Sequence, residues 1–99
     1  MAVQTISVTT ALAAPTAAVT LDEDASTLAI SGTSFSQRFA VEISDDGTNF
    51  AQLQVDDAVE HIDRRAGAYA VSIKSGWQVR ISPAELSPSV TPNFRLAIQ

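Results

Sequence analysis

Apolar and polar positions alternate along most of this chain with a period of two, and that period predicts strands rather than helices. The clearest stretch is Phe39-Ala40-Val41-Glu42-Ile43, where Phe39, Val41 and Ile43 share one face and Ala40 and Glu42 the other. Ala51, Leu53 and Val55 alternate with Gln52 and Gln54; Tyr69, Val71 and Ile73 with Ala70, Ser72 and Lys74. Trp77, Val79 and Ile81 alternate with Gln78 and Arg80, and Phe94, Leu96 and Ile98 close the chain in the same way. Shorter strands are expected over Ala17–Leu21, Thr27–Ile30 and Ala58–Ile62. The Thr-rich start around Val3, Ile6 and Val8 favours strand because β-branched side chains pack well on a pleated surface.

Turn residues punctuate these runs. Asp45-Asp46-Gly47-Thr48 separates two alternating segments, with Gly47 at the position that needs a positive φ in a tight or bulged hairpin. Asp22-Glu23-Asp24, Ser31-Gly32, Asp63–Gly67 and Ser75-Gly76 read as further turns. Thr10–Ala18 is Ala-rich, broken by Pro15, and reads as an extended arm. Pro83–Leu86 has room for one turn of helix, and no segment keeps a helical period. The fold class expected is therefore all-β. It is a small antiparallel β-sandwich or jelly-roll-like barrel of about seven or eight short strands with an extended N-terminal arm. Residues 1–16 form that arm or a first strand, and 17–99 the sandwich.

Composition narrows what such a domain does. Of 99 residues, 45% are hydrophobic and 17% charged, which suits a folded chain with its own core. The net charge is −5, and Arg64-Arg65 is the only basic pair. Nucleic-acid phosphates and anionic membranes call for clustered Lys and Arg, so neither is expected as a partner. There is no cysteine, hence no disulfide, thiolate metal site or Cys nucleophile. The N-terminus lacks the basic and continuous apolar regions of a signal peptide, and no apolar run approaches the ~20 residues that span a bilayer. A soluble protein made in the cytoplasm is expected.

Candidate chemistry is sparse. His61 and Asp63 share a strand face, but no serine stands in a nucleophile-elbow context, and a surface histidine beside an acidic turn explains the pair. The acidic turns invite a calcium reading, yet they lack the alternating oxygen ligands and distal Glu of a calcium loop. Turn formation alone accounts for Asp45, Asp46 and Gly47. Trp77, Tyr69 and Phe50 suggest an aromatic platform for sugars, against the plainer reading that they pack on the sheet. No enzyme activity, cofactor or metal is expected.

The run Phe39–Leu53, with Ser44-Asp45-Asp46-Gly47-Thr48-Asn49-Phe50 at its centre, resembles a strand–turn–strand hairpin of small β-sandwich virion proteins from tailed bacteriophages. The likeness continues through Gly67-x-Tyr69-x-Val71 and Gly76-x-x-Val79-Arg80 to the C-terminal strand. It implies a structural component of the phage particle, above all a capsid decoration (cement) protein that binds and stabilises the shell. The implied partners are the major capsid protein and further copies of the chain, as a homotrimer, on the capsid surface of the virion. The hairpin residues Asp45, Asp46, Gly47 and Phe50 would define the fold. Val3, Ile6, Val8, Leu12 and Pro15 would supply the interface. The same hairpin is similar to discoidin-type carbohydrate-binding modules, so a sugar-binding module is the alternative; a head–tail connector or tail component is another.

Overall fold

A computed structural model describes residues 3–10, 12–34, 39–55, 58–59, 61–62, 67–83 and 91–99, and for 54–62 it describes backbone only. The strands, in chain order, are β1 (Gln4–Val8), β2 (Val19–Thr20), β3 (Ala25–Ser34), β4 (Phe39–Ser44), β5 (Ala51–Gln52) and β6 (Gln54–Val55). They continue with β7 (Ala58–Val59), β8 (His61–Ile62), β9 (Gly67–Ile73), β10 (Gln78–Pro83) and β11 (Asn93–Ile98). One sheet runs β1-β11-β3-β9. The second runs β2-β10-β4, with β5 and β8 sharing the far edge of β4. The short hairpin β6-β7 interrupts that edge. All described pairs are antiparallel.

The pairing has a simple origin. β1 pairs with β11, β2 with β10, β3 with β9, and β4 with β5 and β8. The chain is thus one long hairpin paired with itself from both termini inward, and its tip is the turn between β4 and β5. Rolling this hairpin adds the pairs β11·β3 and β10·β4 and sorts alternate strands into two facing sheets. That is the jelly roll, an arrangement that protects most of its strand edges.

The alternating residues meet between the sheets. Ile6, Val8, Leu28, Ile30, Ile73, Phe94, Leu96 and Ile98 come from one sheet, and Phe39, Val41, Val79 and Ile81 from the other. Phe39 and Phe94 lie against each other across the gap, ring centroids 4.9 Å apart and tilted by 58°. Leu21 and Ala25 close one end of the core.

Two details extend the sequence reading. β3 is longer than Thr27–Ile30 because Gln99 continues β11 alongside it, exchanging backbone hydrogen bonds with Thr27. Near its other end the register with β11 slips at Thr33, a bulge that brings Gly32 so close to Asn93 and Phe94 that no β-carbon fits there. The expected arm divides in two. Gln4–Val8 is an integral strand, with Ile6 and Val8 in the core. Beyond it, Leu12 is half-buried against the core. Thr16 is tied to β10: its N–H donates to the Ile81 carbonyl at 2.9 Å, and its hydroxyl accepts the Ile81 N–H at 3.0 Å. Ala84–Leu86, where a helical turn was expected, lies outside the described residues.

Candidate functional site

The tip turn is organised by Ser44, the one buried polar residue among those described. Its hydroxyl accepts N–H groups from Gly47 at 2.9 Å and Asp46 at 3.3 Å, and donates to Asp46 Oδ1 at 2.9 Å. Asp46 Oδ1 in turn accepts the backbone N–H groups of Thr48 and Asn49, each at 2.8 Å, and Asp46 Oδ2 accepts Asn49 Nδ2 at 2.8 Å. Gly47, at φ 79°, makes the reversal possible. The Asn49 and Thr48 amides, then the Asn49 and Ser44 side chains, hold the Asp46 carboxyl ionised well below the usual carboxylate range. Asp46 and Gly47 thus build the turn together with Ser44, whereas Asp45 is exposed and outside this network. Ser44 is the part that residue-type reasoning about acids and glycines passes over; its signal is a Ser two residues before the Asp and three before the Gly.

Phe50 leaves the turn on the outer face of the β2-β10-β4 sheet. The guanidinium carbon of Arg80 sits 3.8 Å from the Phe50 ring centroid, and Arg80 Nε donates to Glu42 Oε1 at 2.8 Å. Arg80 and Glu42 are direct neighbours across β10·β4, so strand register places the pair. Phe50 thus anchors the tip from outside the core, one ring face taken by Arg80. Tyr69 and Trp77 are half-buried against the core. The three aromatics do not assemble into a shared platform: Phe50 is on an outer face while Tyr69 and Trp77 are held by the interior.

Three turns share one end of the sandwich. Leu21 donates its N–H to the Trp77 carbonyl and accepts the Gly76 N–H, both at 2.9 Å. Asp24 accepts the Ser75 N–H at 2.8 Å, with Lys74 Nζ 3.9 Å from its other oxygen. Gln78 lies opposite both Thr20 and Ser44, which brings the tip turn alongside. Gln4 completes this end: its side-chain amide donates to the Thr20 carbonyl at 2.7 Å and accepts the Asp22 N–H at 3.0 Å. The two acidic turns lie at the same end, on either side of Gln78, and Asp46 and Asp24 each accept backbone amides there. No group of three or more potential metal ligands gathers among the described residues.

The expected interface residues are distributed unevenly. Ile6 and Val8 face the core, so they offer nothing to a partner; alternation along β1 turns Thr5 and Ser7 outward instead. Leu12 is half-buried, and Val3 and Pro15 are exposed. His61 pairs through its backbone with Ala40. Asp63 and Arg64-Arg65 lie outside the described residues. No helix among the described residues is long and apolar enough to cross a membrane. No protein-family model matches the chain, and no curated protein or solved structure matches it either.

Proposed function

We propose that this chain is a structural component of a bacteriophage particle, a capsid decoration protein that binds the major capsid protein and stiffens the shell. The observation that carries this reading is that two separate parts of the resemblance touch. Phe50 of the Ser44–Phe50 hairpin is stacked beneath Arg80 of the Gly76-x-x-Val79-Arg80 segment, although thirty positions separate them. Motifs matched independently along a sequence have a physical reason to occur together when they form one contact. The jelly roll is in keeping with the reading, since viral capsid domains use it; lectins use it too, so the fold alone does not choose.

The test is co-sedimentation of the purified chain with undecorated capsids of the phage that encodes it. Saturable binding to shells and a rise in the shell's melting temperature are expected. Binding to isolated tails instead of capsids would make it a tail component. Failure to bind either, with a glycan shifting Trp77 fluorescence, would overturn the reading in favour of a carbohydrate-binding module.

A further inference from the structure

The edge of a β-sheet presents unpaired N–H and C=O groups, and folded proteins normally guard it with charge, proline, bulges or a covering segment. The two edges of the four-stranded sheet differ in this respect. β9 is approached by β6 and is followed directly by Lys74, which faces Asp24. Among the described residues, β1 has none of these devices. Its five residues carry no charge and no proline, and its register with β11 runs unbroken from Gln4↔Ile98 to Val8↔Phe94. Among the described residues, β11 alone pairs with its backbone. The guard is missing well beyond the strand: the first twenty-one residues of a chain with seventeen charged side chains carry none. Val3, leading into β1, is 53% exposed and is the one large hydrophobic residue so exposed among those described.

Charge placement selects the partner and its direction. Asp22, Glu23 and Asp24 lie at the end of the sandwich where β1 begins, because the Gln4 side chain bonds to Thr20 and Asp22 there. Asp45 and Asp46 follow Ser44, which shares Gln78 as a neighbour with Thr20 at that end. A second copy added in parallel would bring two such acidic ends side by side. Added antiparallel, it puts them at opposite ends of the joint. We propose that β1 pairs antiparallel with β1 of a second copy, joining the two four-stranded sheets into one continuous sheet across a two-fold axis. With the axis through Ile6, Thr5 of each copy faces Ser7 of the other on the solvent side, a favourable cross-strand pair of hydroxyl side chains. Val3 is then covered opposite Thr9. Two identical edges satisfy each other and leave none for a third copy, so the assembly is a dimer, unlike the trimer implied by the phage resemblance. The inference rests on β1 and the acidic turns, and stands or falls apart from the virion reading.

Sedimentation velocity on the full chain, from micromolar to millimolar, should show a reversible monomer–dimer equilibrium. Ser7→Lys and Thr5→Lys, at exposed positions that do not disturb the core, should each weaken the dimer by about tenfold or more. Their melting curves, followed by Trp77 fluorescence, should match the parent measured as a monomer. The chain has no cysteine, so pairing can be read directly: a mixture of Thr5→Cys and Ser7→Cys chains should cross-link under mild oxidation. A mixture of Thr5→Cys and Ser72→Cys, which probes β1 against the exposed face of β9, should not. A chain that stays monomeric, forms trimers or rings, dimerises equally well with Lys at either position, or cross-links through Ser72 overturns the proposal.

Discussion

Asp46 and Asp45 are chemically identical neighbours, and the structure gives them different work. Asp46 collects four donors within one turn while Asp45 faces solvent. Because the folded-state carboxyl of Asp46 is held far below its unfolded value of about 3.9, its contribution to stability is full above that pH and fades as pH falls below it. Asp46→Asn should therefore lower the melting temperature at neutral pH, with the gap to the parent narrowing under acid. Asp45→Asn should change little at either pH. Thermal unfolding of the three chains between neutral pH and strong acid checks both expectations. A gap that is the same at every pH would mean that the carboxylate's charge plays no part.

Two glycines, one inside β3 and one in the turn before β10, separate steric from conformational constraint. Gly32 sits beside the β3 bulge with the β11 backbone against it, so a methyl there must push two central strands apart. Gly76, at φ 85°, has open space around its β-carbon position and serves the turn in which Trp77 N–H bonds to Lys74 C=O at 3.2 Å. Its positive φ at the third turn position is what a type II turn demands. Gly76→Ala should cost about 1 kcal/mol, the strain of a left-handed residue alone. Gly32→Ala should cost about 1–3 kcal/mol, as overpacking does, even though its φ is unexceptional. Urea denaturation of both variants gives the comparison; equal losses would contradict the close approach at Gly32.

At the scale of the whole molecule, the self-paired hairpin makes the two ends of the chain depend on each other. Among the described residues β1 pairs through its backbone with β11 alone, yet it brings Ile6 and Val8 into the interior. Removing residues 1–8 exposes one side of Phe94, Leu96 and Ile98 and deletes two core side chains. A loss of several kcal/mol is expected, each large apolar truncation being worth about 2–5 kcal/mol. The segment is thus not a detachable arm whose removal spares the fold. Circular dichroism melting of the truncated chain tests this: a melting temperature within a few degrees of the parent would show β1 to be dispensable.

Much of this was legible in the residues themselves. Alternation at Phe39–Ile43, Trp77–Ile81 and Phe94–Ile98 is a local property, since successive side chains on a strand take opposite faces. Asp46-Gly47 fixes a reversal within four residues for the same local reason, so strands, turns and an all-β sandwich follow from sequence. What sequence leaves open is which strand lies beside which, because pairing is a contest among partners far apart in the chain. Only the folded hairpin puts β1 against β11 and so turns Ile6 and Val8 from interface candidates into core. Only the β10·β4 register sets Arg80 beside Glu42 and over Phe50, and only the rolled sheets gather the acidic turns at one end. The tertiary structure thus decided which apolar residues are inside and which strand edge is left open; a period of two specifies a face and is silent about its neighbour.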